Sequence, residues 1–221
     1  MRLACSAVVL CALAGGSVAQ GAIVNATFTG VSPGGTAAIS PGGNVYAGVY
    51  NFDYNFGDLN WLAPEFGAFC IEVQQAISNN QTVTFDVVPI EDAPSSFGPS
   101  GMDDARADRL KELFGRRYAE SDDSAANAVA FGISVWEIVN DDALDLDAGS
   151  FTASSTDPAG AKALASAWLA EIDGTGPRAA LLALRSDSAQ DYVIVNNDIP
   201  SPGAMALAGV SVCMMHRRRR R

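Results

Sequence analysis

The sequence predicts an α+β fold, a β-sandwich or barrel into which a three-helix subdomain is inserted. Residues 20–90 are rich in Gly, Thr, Val, Tyr and Phe, and apolar residues alternate with polar ones, which is typical of strands. From Asp103 the apolar spacing changes to three or four residues, as in amphipathic helices. Strand-like runs return after residue 176. We therefore expect one domain over residues 20–198, with a helical insertion at about 103–173.

The first part of this domain contains four candidate strands separated by turn residues. Apolar alternation marks the segments Ile23–Phe28, Val45–Phe52, Ala68–Gln74 and Thr82–Val88. Two Pro-Gly-Gly triplets, at 33–35 and 41–43, predict turns because proline and glycine favour turn geometries. Residues 91–102 are rich in Pro, Ser and Gly and predict a linker.

Three helices and two further strands follow. The first helix begins at Asp103-Asp104 and ends at Arg116-Arg117, so its charges complement the helix dipole at both ends. A second helix is expected from about Asp123 to Asn140, and a third from Asp157 or Pro158 to about Ile172. The last strands are expected at Ala179–Leu184 and Tyr192–Val195.

The N-terminal residues predict a secretory signal peptide over residues 1–19. Met1-Arg2 supplies a positive charge, Leu3–Ala14 is apolar, and Ser17-Val18-Ala19 offers the small residues that signal peptidase requires. Cleavage is expected after Ala19, with Ala22 as the second candidate. Cys5 and Cys11 have no leucine three residues upstream, so a lipoprotein anchor is not expected.

The C-terminal residues 199–221 combine three signals that favour sorting through a membrane. Pro200-Ser201-Pro202 ends any preceding element, residues 203–215 are apolar, and residues 216–221 are His216 followed by Arg217, Arg218, Arg219, Arg220 and Arg221. The apolar run, in a helix, spans about 20 Å of a hydrocarbon core of about 30 Å, so a buried core helix is the alternative. A second alternative is that the arginine run forms a nucleic-acid-binding arm. Five unpaired arginines argue against burial, and the adjacent apolar run argues against the arm.

This arrangement resembles a PEP-CTERM sorting tail, with Ser201 where the family has glutamate. The resemblance implies an exosortase-like processing enzyme as a partner. It also implies a precursor held in the inner membrane by a short transmembrane tail. The mature protein would then reside at the cell surface or in the extracellular matrix.

The charge of the mature domain excludes some partners. The chain has 14 basic and 25 acidic residues, a net charge of −11. Removal of Arg2 and the five tail arginines leaves eight basic residues against the same 25 acidic ones, which is −17. Such a surface repels nucleic acid and anionic lipid. It suits loose divalent-cation binding or a neutral or cationic polysaccharide matrix.

The exported domain keeps one cysteine, Cys70, because Cys5, Cys11 and Cys213 lie in the two terminal signals. Extracellular cysteines are usually paired. A single one is either a buried apolar residue or a reactive group. The apolar, strand-like neighbours Phe69 and Ile71 favour burial by themselves.

Three motifs resemble those of the thioester domains (TQXA type) of bacterial surface proteins. Residues 129–141, VAFGISVWEIVND, resemble the AFQLAIWEIVYD helix of thioester-domain proteins that carry PEP-CTERM tails. An aromatic-Cys-apolar motif occurs at residues 69–71, and an apolar-Gln-x-apolar-apolar strand at residues 189–193. The order matches the family and the resemblance covers most of residues 45–196.

The resemblance implies that the Cys70 thiolate attacks the side-chain amide of Gln190, expels ammonia and leaves an internal thioester. A surface amine or hydroxyl would then be acylated once, without turnover, and joined covalently to the protein. The helix motif places Gly132 where the family has glutamine, with Ser134 and Trp136 following. Either a neighbour such as Ser134 substitutes for that glutamine, or the fold is kept and the bond is lost.

Other candidate sites have weaker support. Asp141, Asp142, Asp145 and Asp147 suit calcium by composition, but the glycine offset and the missing closing glutamate favour a solvated loop at the helix end. The tryptophans Trp61, Trp136 and Trp168 are expected in the core, with sugar stacking as the alternative for Trp61. His216 is the only histidine and leaves with the tail, so no histidine-based triad or zinc site is expected.

The sequence therefore predicts an exported surface or exopolysaccharide-matrix protein with no cofactor and no turnover active site. It is either a covalent adhesin acting through Cys70 and Gln190 or a non-reactive structural or carbohydrate-binding component with the same fold.

Overall fold

A computed structural model describes residues 21–94 and 102–198 of the chain. The signal peptide, the sorting tail and most of the 91–102 linker lie outside these residues. The described part contains seven strands, three α-helices and two short 3₁₀ turns. The strands are β1 Ile23–Ser40, β2 Gly43–Gly57, β3 Glu65–Cys70, β4 Thr82–Pro89, β5 Thr152–Asp157, β6 Leu181–Arg185 and β7 Tyr192–Val195. The helices are α1 Asp104–Arg117, α2 Ala125–Asn140 and α3 Ala161–Leu169, and the 3₁₀ turns are Ile90–Asp92 and Tyr118–Glu120.

Six of the strands close into an antiparallel β-barrel. The order β2-β3-β7-β6-β4-β1 is completed by the pairing of β1 with β2, so no edge of this circuit stays open. The far half of β1 stays paired with β2 and extends beyond its pairing with β4, and on its other side it pairs with β5, from Thr36 opposite Asp157 to Ser40 opposite Thr152. Of the two predicted β architectures, the barrel is the one observed.

The long strand β1 corrects one predicted turn. Residues 33–35 do not turn: β1 runs through them, with register shifts against β2 between Phe28 and Gly30 and between Val31 and Gly34. A Cβ at Gly34 would lie 2.7 Å from the carbonyl oxygen of Ala47. Glycine is therefore needed here for close approach to β2. The second triplet does form the β1–β2 turn.

The three predicted helices are confirmed, and the insertion also contains a strand that the sequence did not predict. The side chain of Asp103 caps α1 by accepting from the backbone N–H of Arg106, and Ser124 caps α2 by accepting from Asn127. The missed strand β5 reads TASSTD, which has no apolar alternation. The third helix is shorter than predicted and starts at Ala161, after Gly160 at φ +92°.

Helix α2 is buried along nearly its whole length, from Ala128 to Asn140. It packs against β1, β2, β3, β5 and the helix α3. Trp136 and Trp168 are buried as expected, and Trp61 is half-buried against the core. Among the described residues, no helix is both long and apolar enough to span a membrane.

Candidate functional site

The pairing of β3 with β7 brings Cys70 close to the segment that carries Gln190. Cys70, the last residue of β3, lies directly opposite Tyr192, the first residue of β7, and Ile71 N–H donates to the carbonyl of Asp191 at 3.0 Å. Gln190 lies two residues before Tyr192, just outside β7. The Tyr192 hydroxyl donates to its side chain, which places the carboxamide beside the Cys70–Tyr192 pair.

The Cys70 thiol is buried and unpaired. Its residue is 2 % exposed, and the thiol donates to the carbonyl oxygen of Glu72 at 2.7 Å. Burial raises the pKa of Cys70 to about 12, and the carboxylates of Glu72 and Asp191 push it in the same direction. The backbone of Glu72 and the indole of Trp136 offset this only in part. Cys70 is therefore a neutral thiol at physiological pH.

The indole of Trp136 faces this thiol. Its Nε1 atom is buried and makes no well-formed hydrogen bond within the part of the chain described, but its interaction with Cys70 opposes the rise in the thiol pKa. Trp136 itself is 2 % exposed. Of the three helix-motif residues, Trp136 is thus the one that reaches Cys70.

Two buried tyrosines hold the side chain of Gln190. The hydroxyl of Tyr192 donates to Gln190 Oε1 at 3.2 Å. Tyr50 lies on β2, the strand next to β3. Its hydroxyl also interacts with the Gln190 side chain, and this interaction opposes the rise in the Tyr50 pKa that burial causes. Tyr50 pairs with Ala68, two residues before Cys70. The carboxamide, the thiol and both hydroxyls therefore share one end of the barrel.

A cavity of about 340 Å³ opens beside this group. Gln190, Trp136 and Tyr50 form part of its wall, and the remainder comes from β1, from Tyr46 and its neighbour Val45, and from the segment 73–77. The described residues that line it carry no charged side chain. A small nucleophile entering from solvent could reach the Gln190 carboxamide through this cavity, which we call the Gln190 cavity.

The other two helix-motif residues are occupied elsewhere. A Cβ built on Gly132 would lie 3.2 Å from the backbone nitrogen of Gly48, so the glycine lets α2 lie close against β2. The buried hydroxyl of Ser134 donates to the carbonyl of Ala130 at 2.8 Å, one turn earlier in the same helix. Neither contact supplies a polar group to Cys70.

The acidic turn after α2 has a structural role. Asp141 is buried, and its carboxylate accepts hydrogen bonds from the backbone N–H groups of residues 142, 143, 150 and 151. Asp142 and Asp147 are exposed and form ion pairs with Arg106 and Lys162. Within residues 21–94 and 102–198, no group of three or more His, Cys, Asp or Glu side chains is arranged to hold a metal ion.

The sequence did not single out four polar residues that surround the thiol and the carboxamide: Tyr50, Glu72, Asp191 and Tyr192. Asp191 is 3 % exposed and accepts from the N–H of Ser186 at 2.7 Å, which fixes the turn that precedes Gln190. Burial raises its pKa to about 7. The parity of Gln190 and Tyr192 along one strand was a usable signal for Tyr192. Tyr50 comes from a distant segment, and only the strand register reveals it.

The remaining candidate residues, Pro200 to Pro202 and Arg217 to Arg221, lie outside the described residues. Comparison of this chain with family models, with curated proteins and with solved structures finds no match.

Proposed function

We propose that this protein is an exported surface or matrix protein that attaches covalently to its target through an internal thioester between Cys70 and Gln190. The observation that carries the proposal is the β3–β7 register, in which Cys70 lies opposite Tyr192, the residue whose hydroxyl donates to the Gln190 carboxamide. A thiol and a carboxamide, both enclosed by aromatic side chains, are the two groups that this bond requires. The Gln190 cavity supplies a route for the acceptor.

The bond forms by acyl transfer. Cys70 Sγ attacks Gln190 Cδ, the Sγ–Cδ bond forms, and the Cδ–Nε2 bond breaks. The thiol proton moves to the departing nitrogen, so the only product released is ammonia. Burial disfavours the thiolate but carries no such penalty for a thioester, which is neutral. The same burial keeps Cys70 Sγ out of bulk solvent, and an amine or hydroxyl of the target reaches the acyl carbon of Gln190 through the cavity.

A non-reactive structural or carbohydrate-binding matrix protein is the second candidate. Two features of α2 favour this alternative. Gly132 offers no side-chain amide where the resembled family has glutamine, and the Ser134 hydroxyl is hydrogen-bonded within its own helix. On this alternative, Cys70 is a core residue and the aromatic walls of the Gln190 cavity bind a neutral sugar.

The proposed location follows from the two ends of the chain. Signal peptidase removes residues 1–19. The tail at 199–221 holds the precursor in the inner membrane until an exosortase-like enzyme processes it, which releases the protein to the surface or to the polysaccharide matrix. Fractionation of cells expressing the full chain, compared with a chain lacking residues 199–221, tests this placement. An unchanged distribution would contradict a sorting role for the tail.

Intact-mass measurement separates the reactive from the non-reactive function. The thioester predicts a mass about 17 Da below that of the sequence, because one ammonia is lost on acyl transfer. Methylamine should remove the deficit, and Cys70→Ala should never show it. A wild-type protein at full mass, with one thiol that titrates after denaturation, would refute the thioester and leave the non-reactive function.

A further inference from the structure

We propose that the Tyr192 hydroxyl stabilises the negative charge that develops on Gln190 Oε1 during acyl transfer, while Tyr50 orients the amide nitrogen as the leaving group. This inference rests on the proposed Cys70–Gln190 thioester and names the residues that promote its formation and its opening. Tyr192 is hydrogen-bonded to the reacting carboxamide, and Tyr50 lines the same cavity as Gln190.

The position of Tyr192 fits this role. It is fully buried, and the one hydrogen bond of its hydroxyl in the described structure goes to Gln190 Oε1, at 3.2 Å. When sulfur attacks Cδ, the carbonyl oxygen gains negative charge, and a donor already aimed at that oxygen stabilises it. Because Tyr192 is buried, such a fixed donor is worth more than it would be in solvent.

The contacts of Tyr50 fix which way the carboxamide points. The Tyr50 hydroxyl donates its proton to the backbone carbonyl of Tyr46 at 3.0 Å, so it can only accept from Gln190. An acceptor faces the NH₂ end of the amide, which leaves Oε1 on the side of Tyr192. The two tyrosines therefore contact opposite ends of the same carboxamide and fix its orientation.

The surroundings keep both hydroxyls in their neutral form. Burial raises the pKa of Tyr192, and negative charge on Cys70, Asp191 and Glu72 would raise it further. Burial acts on Tyr50 in the same way. Tyr192 therefore acts as a hydrogen-bond donor across the physiological pH range and does not transfer its proton.

The same arrangement serves the opening of the bond. In the thioester, Oε1 keeps its Tyr192 donor, while the former nitrogen site beside Tyr50 lies on the wall of the Gln190 cavity. An incoming amine thus takes the place that ammonia left. Bond formation and aminolysis share one tetrahedral intermediate, so one donor accelerates both.

This symmetry gives a test in which ammonia drives opening and its removal permits re-formation. Full-chain protein is expressed, and ammonia converts the thioester back to the Cys70 thiol and the Gln190 amide. After ammonia is removed by desalting, re-formation is followed by peptide mass, as loss of the free thiol in the peptide that contains Cys70. Tyr192→Phe and Tyr50→Phe are compared with wild type. Tyr54→Phe, a half-buried tyrosine of β2 outside the cavity lining, is the control.

For Tyr192→Phe we expect both opening and re-formation to slow by about tenfold or more, as for loss of a donor to a developing oxyanion. The final thioester fraction should change less than the rates, because a group that acts on the transition state speeds both directions. Tyr54→Phe should behave as wild type. If Tyr192→Phe does not fold, judged by near-ultraviolet circular dichroism, Tyr50→Phe carries the test and should slow both directions as well.

The proposal is overturned if Tyr192→Phe folds and its rates stay within twofold of wild type. It is also overturned if Tyr192→Phe does not fold and Tyr50→Phe reacts at the wild-type rates. A changed thioester fraction at unchanged rates would also overturn it, since that marks a structural role. These outcomes leave the thioester intact. A wild-type protein without any mass deficit refutes the proposed function itself, and the inference falls with it.

Discussion

Cys70 at the end of β3 lies directly across the ladder from Tyr192 at the start of β7. The hydroxyl of Tyr192 donates to Gln190 Oε1 at 3.2 Å. Tyr192 therefore connects the strand that carries the thiol to the carboxamide that the thioester requires.

The reach of the Gln190 side chain is the first testable consequence. Gln190→Asn keeps the amide but shortens the side chain by one methylene, so the carboxamide should no longer reach Sγ. We expect this variant to fold, to show full mass and to carry a thiol that titrates after denaturation. A mass deficit in Gln190→Asn would show that a different amide supplies the acyl group.

The contact between α2 and β2 predicts how a substitution at Gly132 changes the stability of the fold. Alanine in a helix interior is worth about 1 kcal/mol over glycine. However, a Cβ at this position would lie 3.2 Å from the Gly48 nitrogen, and Gly48 is paired with Gly34 in the β1–β2 ladder and cannot easily retreat. We therefore expect Gly132→Ala to lower the free energy of unfolding by on the order of 1 kcal/mol.

Thermal unfolding of Gly132→Ala measures this change. Ala126→Gly, at a half-buried position of the same helix, gives the cost of glycine where space is open. A higher melting temperature for Gly132→Ala would show that β2 yields to the added methyl group. The close helix–strand packing would then not be the reason for glycine.

A Ser134→Ala variant tests whether Ser134 replaces the glutamine that the helix motif lacks. Because its hydroxyl donates to Ala130 within the helix, Ser134→Ala should leave the thioester fraction and the rate of methylamine reaction unchanged. Loss of the mass deficit in this variant would show instead that Ser134 replaces the missing glutamine amide.

Glu137 should make the stability depend on pH. The Glu137 side chain is fully buried. Its Oε1 accepts a hydrogen bond from the N–H of Asp145 at 2.7 Å, and its Oε2 has no hydrogen-bond partner among the described residues. Burial raises its pKa from 4.5 to about 7, and the charges of Asp141 and Asp145 add to the rise. The folded state therefore binds this proton more tightly than the unfolded state does.

Its contribution to stability is complete below pH 4.5 and is lost as the pH rises through about 7. Glu137→Gln, which resembles the protonated acid, should match wild type near pH 4.5 and exceed it at pH 8 by on the order of 2 kcal/mol. Urea unfolding at both pH values measures the difference. Equal pH profiles for the two proteins would contradict the raised pKa. Asp191, whose pKa is raised in the same direction, stays in both proteins and cancels in the comparison.

The fold was largely predictable because its signals are local. Alternation marked the barrel strands, the pair Asp103-Asp104 marked the start of the first helix, and the three-to-four spacing marked the helices. The strand β5 was missed because TASSTD has no apolar face, and its pairing with the distal half of β1 depends on a partner more than a hundred residues away. The turn predicted at residues 33–35 failed because close packing against β2 also selects glycine.

The candidate site was predictable only in part. Cys70, Gln190 and Trp136 belong to motifs that can be read along the chain. Tyr50 joins them only through the β2–β3–β7 register, in which Tyr50 pairs with Ala68 and Cys70 with Tyr192. The roles of Gly132 and Ser134 were left open by the sequence, because they depend on the Gly48 nitrogen and the Ala130 carbonyl.

The most direct measurement of the central claim is peptide mapping of the full-chain protein after reaction with methylamine. The account predicts that the peptide containing Gln190 gains one methyl group on its side-chain amide, and that a Cys70 thiol appears in equal amount. Without methylamine, the peptides bearing Cys70 and Gln190 should remain joined under acidic digestion. Unmodified Gln190 together with a free Cys70 thiol in the untreated protein would contradict the thioester.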